Sequence, residues 1–177
     1  MTWIQTYTGK RFDLLDIDIE QIDIFDIAHA LANTCRFAGH CRTFYSVAQH
    51  SIHVSYLVPH EHARVALMHD AAEAYLTDIP APFKQLMPDY QVIEQHVWSA
   101  IARRFDLPSE LPAEVKRADL VALATERRDL LKRTNDRWPI LDGVRSDAAI
   151  RIPVSPETAK RAFLRRFGDL QPKWAEL

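Results

Sequence analysis

Between Leu67 and Asp78 the chain places one histidine and three carboxylates, His69, Asp70, Glu73 and Asp78, inside an otherwise apolar helical pattern. Residues three and four apart share a helix face, so Glu73 stands one turn from both His69 and Asp70, on the face that Val65, Ala66 and Leu67 lead into. Burying such groups unpaired is costly. A divalent cation removes that cost: imidazole nitrogen and carboxylate oxygen suit Zn, Mn, Fe or Co, and the remaining carboxylates stay free for proton transfer. A surface helix with scattered charge is the plain alternative, and the rest of the chain decides between the two.

Two further stretches complete the set. Ser46 to Leu57 carries an apolar stripe at Val47, Val54 and Leu57 and stops before Pro59. A second helix is predicted from His60 to Tyr75, with Ala63, Val65, Ala66, Leu67 and Ala71 and no interrupting Gly or Pro. The pair should form an antiparallel hairpin. At about 1.5 Å per residue, His50 lies roughly 13 Å before the turn and His69 roughly 15 Å after it, so the two meet at one level. Pro112 to Arg133 reads as a long helix in which Asp119 is one turn from Val115, Ala122 and Leu123, on the side expected to face the core. An aspartate there needs a partner, and a metal held by His50, His69 and Asp70 would be one.

A histidine, a later His-Asp pair and a distant aspartate resemble the signature of the HD-domain phosphohydrolases, with His50, His69-Asp70 and Asp119 as the matching residues. The likeness extends past these four positions. Ser46-Val47-Ala48-Gln49-His50-Ser51 is similar to the helix start bearing the first ligand in bacterial HD-domain nucleotidases. His69 to Glu73 and Thr77 to Lys84 look like their catalytic helix and following loop. The likeness is to 5'-deoxynucleotidases of the YfbR/YfdR type, and Cys35 to His40 and Ala118 to Arg128 look like the prophage branch. The connection between His50 and His69 is shorter than in the housekeeping nucleotidases.

The resemblance implies an all-α HD-domain helical bundle with a short N-terminal β-hairpin, one domain over residues 1–177, and one divalent metal ion (Mn, Co, Zn, Fe or Mg). Dinuclear relatives use extra histidines between the His-Asp pair and the last aspartate, where this chain has His96 alone. The metal would be held by His50, His69, Asp70 and Asp119, with positions left for water and a phosphoryl oxygen. Glu73 and Asp78 would divide the acid and base work, in an order the residues leave open. Arg36 and Lys84 are nominated for phosphate contact and Phe37 for packing near the sugar or base; an arginine can grip two phosphate oxygens at once. A cation near a helix C-terminus is the plain alternative for Arg36. His40 and Arg42 either line the pocket or form a turn, while His29, His53, His60, His62 and His96 read as ordinary, and Trp98 and Phe105 as core.

The activity implied is hydrolysis of 2'-deoxyribonucleoside 5'-monophosphates to deoxynucleoside and phosphate. A triphosphohydrolase acting on dNTPs is the alternative among enzymes, and a non-catalytic metal- or nucleotide-binding regulator the alternative from another class. Intact Glu73 and Asp78 weigh against the regulator, and no His-Glu-x-x-His motif supports a metalloprotease.

Composition agrees with a small-molecule enzyme. The chain has 177 residues, long enough to bury a substantial core, and 22 basic against 24 acidic residues leave a formal charge of -2 with no basic block for duplex nucleic acid. Two cysteines, Cys35 and Cys41, show no framework spacing; the N-terminus lacks the regions of a signal peptide, and no apolar run spans a bilayer. The expectation is a cytoplasmic protein with a nucleotide as its partner, no nucleic acid, no membrane, and room for a homodimer.

Along the chain, residues 3–7 and 11–14 are predicted as two short strands around a turn, a lid or edge rather than a sheet core. Helices are predicted over 24–35, 46–57, 60–75, 89–105, 112–133 and 156–167. Ser155-Pro156 starts the last one and Gly168 is placed to stop it. Residues 135–153, with three Gly or Pro breaks, are the least regular part.

Overall fold

The structure is a computed structural model that describes residues 2–149 and 152–171; residues 150 and 151 of the irregular 135–153 stretch lie outside the described residues. It is mostly helical, with a two-stranded antiparallel hairpin at the N-terminus. Strands β1 (Trp3–Gln5) and β2 (Arg11–Asp13) pair with Ile4 opposite Phe12. They are shorter than predicted because residues 6–10 close the turn themselves: Thr6 N–H donates to the Lys10 carbonyl (2.9 Å), and Gly9, at φ 84°, donates to the Thr6 carbonyl (3.0 Å). The hairpin is tied to the helices at several points. Buried Asp26 accepts from Thr8 N–H (2.6 Å) and Thr8 Oγ1 (2.9 Å), and the buried Phe12 ring stacks on Tyr75 at 3.9 Å.

The helices are α1 (Ile24–Asn33), α2 (Val47–Tyr56), α3 (His60–Met68), α4 (Glu73–Leu76), α5 (Ala81–Lys84), α6 (Pro88–Phe105), α7 (Ala113–Leu130) and α8 (Pro156–Asp169). Side-chain caps start three of them. Asp23, Ser46 and Ser155 accept from the N–H groups of Phe25, Gln49 and Thr158, and Pro156 occupies the first turn of α8, where its missing N–H costs nothing. Helix α2 is central, packing on α1, α3, α7 and α8. Seven of its ten residues are buried, His50, Ser51, His53 and Ser55 among them. A helix enclosed on so many sides must carry its polar groups inward, and those groups need partners.

Several expectations are corrected. The single helix predicted over 60–75 is two: after Met68 the ladder tightens to i→i−3 bonds, with Ala71 N–H donating to Met68 O, Glu73 to Asp70 and Ala74 to Ala71, before α4 begins. Gly168 does not stop α8, which continues to Asp169 because Leu170 is drawn into the core and its N–H bonds the Arg166 carbonyl (3.2 Å). The loop expected around Pro80 and Pro82 contains α5, whose first turn tolerates Pro82. Helices α1 and α7 also end two or three residues early, at Asn33 and Leu130. Residues 135–149 are irregular apart from a 3₁₀ turn at Pro139–Leu141. Among the described residues no helix is long and apolar enough to cross a membrane.

Phe163 is fully buried on α8, which packs on α1, α2 and α3. Phe163→Ala should cost about 3–5 kcal/mol in urea-denaturation stability. A loss below about 1 kcal/mol would mean that α8 is not part of the core.

Candidate metal centre

His50 sits one turn into α2 and is fully buried. Its Nδ1 lies 2.7 Å from Glu126 Oε1. A carboxylate can only accept, so Nδ1 carries the proton and Nε2 is left with a lone pair. His69 reaches the same state by another route: at the end of α3 its Nδ1 lies 2.8 Å from the Ala66 carbonyl oxygen, again an obligate acceptor. The two Nε2 atoms then face each other at 3.3 Å. Two lone pairs at that separation repel unless a proton or a metal ion lies between them.

Carboxylates close the same point. Asp119 Oδ1 is 3.1 Å from His50 Nε2; Asp70 Oδ2 is 3.5 Å from His50 Nε2 and 3.3 Å from His69 Nε2. Donors held about 2.0–2.2 Å from one metal stand roughly 3.0–3.5 Å apart, so these separations are those of a shared coordination shell. His50, His69 and Asp119 form a group that could hold a metal ion, and Asp70 adjoins it. With no cation at the centre, burial and the Arg36 guanidinium act against an imidazolium at His50, but Glu126 and Asp119 outweigh them and push its pKa up to about 10, so a proton on Nε2 takes the place that a metal would fill. For Asp119, burial acts to raise the pKa, and the His50 bond with the charges of His50, His69 and Arg36 overrides it, holding the carboxyl well below the usual range. The site draws positive charge to one point, as a cation site must. Asp119 is the most open of the four at 42% side-chain exposure, so it stands at the rim rather than facing the core as expected.

Glu126 is the residue that sequence reasoning missed. It is fully buried on α7, two turns after Asp119 on the same face, and its second oxygen accepts from Arg36 Nη2 at 3.1 Å. Burial works to raise its carboxyl pKa, yet His50 and Arg36 bring it down to about 2. Arg36 comes from a turn at Arg36–Gly39 in which Phe37 and Ala38 both adopt left-handed φ values, 55° and 49°. Each such residue costs about 1–2 kcal/mol. The turn is held at its neck by Arg36 N–H donating to the Tyr45 carbonyl (2.9 Å). Phe37 lies under the Arg36 guanidinium (5.3 Å) and beside Trp138 (6.4 Å). Arg36 therefore reaches the centre through Glu126, not as a helix C-terminal cation.

Glu73 is buried; Oε1 accepts from Lys84 Nζ at 3.1 Å while Oε2 has no hydrogen-bond partner among the described residues. Burial, reinforced by the charges of Asp70 and Asp78, raises its carboxyl pKa well above the ordinary value. Asp78 is raised too, by burial first and by Asp70, with Arg36 and Lys84 opposing. The residue before it, Thr77, sits at φ 72°, ψ 158°, a conformation nearly restricted to glycine that costs on the order of 1–3 kcal/mol. It is pinned on both sides, by its N–H to the Glu73 carbonyl (2.8 Å) and by Tyr90 Oη donating to its own carbonyl (3.0 Å). Lys84 also bonds Glu94 at 2.6 Å, so its ammonium bridges two carboxylates.

A cleft of about 750 Å³ opens beside His69, Asp70 and Glu73, walled by α5, α6 and the segment leading into α7. That volume suits a small-molecule ligand. Lys84 lines it; Arg36, Phe37 and Asp78 lie outside its walls. His96 is exposed on α6 and is not part of the donor group, whereas Trp98 is core, its Nε1 donating to the Ser109 carbonyl at 2.9 Å.

Two results should follow. Replacing His69 or Asp70 with Ala should abolish stoichiometric metal, read by elemental analysis of the purified protein; full retention in both variants would refute the ligand set. Glu126→Ala leaves Arg36 and His50 buried without their acceptor and should cost about 3–5 kcal/mol of stability. The milder Glu126→Gln should fold yet bind metal roughly 10- to 100-fold more weakly, measured by competition with a chelator.

No family model matches the chain. It is 37% identical over 126 residues to an uncharacterized protein of Rhodobacter capsulatus, an alignment covering 66% of this chain and 64% of the other. It is 48% identical over 171 residues to the uncharacterized protein YfdR of Escherichia coli (strain K12), covering 96% of each. With that identity along almost its whole length, the chain belongs to the same family as Escherichia coli YfdR.

Proposed function

We propose that the chain is an HD-domain metal-dependent phosphohydrolase that hydrolyses 2'-deoxyribonucleoside 5'-monophosphates to deoxynucleoside and phosphate. The observation that carries this reading is the convergence of two oriented imidazoles and two carboxylates on one point, beside a buried carboxyl with an uncommitted oxygen and an open cleft. A purely structural cluster has no use for the last two. The bound metal would polarise a phosphoryl oxygen and activate water. His50 and His69 hold their Nε2 atoms in place through Glu126 and Ala66 and spend no free energy reorienting when substrate arrives.

Glu73 is the better proton donor. Its burial and the neighbouring negative charges favour the neutral acid, and Oε2 is free to carry the proton toward the departing 5' oxygen. Asp78, placed by the strained Thr77, orients and deprotonates the attacking water. The preference for a nucleotide with a 2'-deoxy sugar rests on the family resemblance of the motifs.

A screen of phosphate and nucleoside release from all dNMPs, NMPs and dNTPs with Mn, Co, Zn and Mg tests the reading. Turnover should be highest on dNMPs, and equal catalytic efficiency on dAMP and AMP would count against a deoxynucleotidase. Glu73→Ala and Asp78→Ala should keep their metal while kcat falls by roughly two to four orders of magnitude. Wild-type rates in both variants would remove them from the mechanism.

A further inference from the structure

The cleft contains a lysine that none of the preceding roles uses. Among the described residues lining it, the cations are Lys84 and Lys116. Lys84 is committed, its ammonium held between Glu73 at 3.1 Å and Glu94 at 2.6 Å. Arg36, outside the cleft, is committed to Glu126. Lys116 has no ion pair or side-chain hydrogen bond to any described residue; it is exposed on α7 one turn before Asp119, in the same cleft as His69 and Asp70. Residues three apart on a helix have Cβ atoms about 5–6 Å apart, and a lysine's flexible four-carbon stem spans that distance easily.

The charges decide what this lysine is for. Asp70 and Asp119 balance one divalent cation, Glu126 balances Arg36, and Glu94 balances Lys84 with Glu73 as the neutral acid, while Glu110 adds a negative charge to the wall. Of the two cations among the described lining residues, Lys116 is thus the one with no carboxylate at ion-pair distance, so an anion entering the cleft meets its ammonium unpaired. We infer that Lys116 is a substrate-binding residue whose ammonium contacts a non-bridging oxygen of a single phosphate, and that the cleft is built for phosphate monoesters rather than triphosphates. A triphosphate tail would need further cations where the walls carry Glu94 and Glu110, and like charges at close range repel. This inference rests on the phosphohydrolase reading for its substrate, but the anion contact can be measured without turnover.

The test uses the full-length, Mn-loaded protein and its Lys116→Ala and Lys116→Arg variants. Inorganic phosphate binding is measured by calorimetry, and KM and kcat on dNMPs and dNTPs by phosphate release. Loss of one charge-assisted hydrogen bond should weaken phosphate binding and raise the dNMP KM by roughly 10- to 100-fold in Lys116→Ala. Metal content should stay unchanged, and Lys116→Arg should recover most of the loss. Alanine suits an exposed helix position, so the variant should fold. Unchanged phosphate affinity and KM in Lys116→Ala would overturn the assignment, as would dNTPs bound more tightly than dNMPs. If the wild type hydrolyses no ester yet Lys116→Ala still loses phosphate binding, the anion contact stands and the hydrolase reading fails.

Discussion

The 2.7 Å bond between His50 Nδ1 and Glu126 is the contact on which the centre depends. It fixes which nitrogen of a fully buried imidazole is committed to Glu126, and so leaves Nε2, facing His69, as the atom that takes a proton or a metal ion. A buried carboxylate has a second oxygen to satisfy, and Arg36 does so at 3.1 Å. The chain from Arg36 through Glu126 to His50 joins the turn after α1, helix α7 and helix α2, elements far apart in sequence. Breaking one link leaves a charge buried in a core that cannot solvate it, so the same bond serves the stability of the helix packing and the orientation of a ligand.

The backbone carries local costs in the segments that supply site residues. Phe37 and Ala38 adopt left-handed angles directly after Arg36, and Thr77 adopts a glycine-like conformation directly before Asp78. The tightened turns after Met68 interrupt what would otherwise be one helix, where His69 and Asp70 leave it. Together these run to a few kcal/mol, a sizeable part of the net stability of an ordinary domain. Such deformation persists where the surroundings over-determine it, as the Tyr45, Glu73 and Tyr90 bonds do here.

Much of the arrangement was legible in the sequence because it followed helical spacing. Counting residues on either side of Pro59 was enough to place His50 and His69 at one level, and the capping Ser155 before Pro156 marked the start of the last helix. The break after Met68 was hidden because apolar residues spaced for an α-helix also suit a short 3₁₀ turn. Gly168 misled because a glycine's tendency to end a helix yields when the next apolar side chain, Leu170, has a core to enter. Glu126 was lost in the charged run Glu126-Arg127-Arg128, although it falls in step with Val115, Ala118 and Ala122 on the inward face of α7. A carboxylate on an otherwise apolar stripe was the available signal. The partners of Arg36 and Lys84 were beyond sequence reading, since both depend on how distant helices meet.

X-ray absorption at the metal edge of the Mn- or Zn-loaded protein tests the central claim most directly. The geometry predicts a shell of nitrogen and oxygen donors at about 2.0–2.2 Å with the multiple-scattering signature of two imidazoles. A shell containing sulfur from Cys35 or Cys41, or one without imidazole, would contradict it.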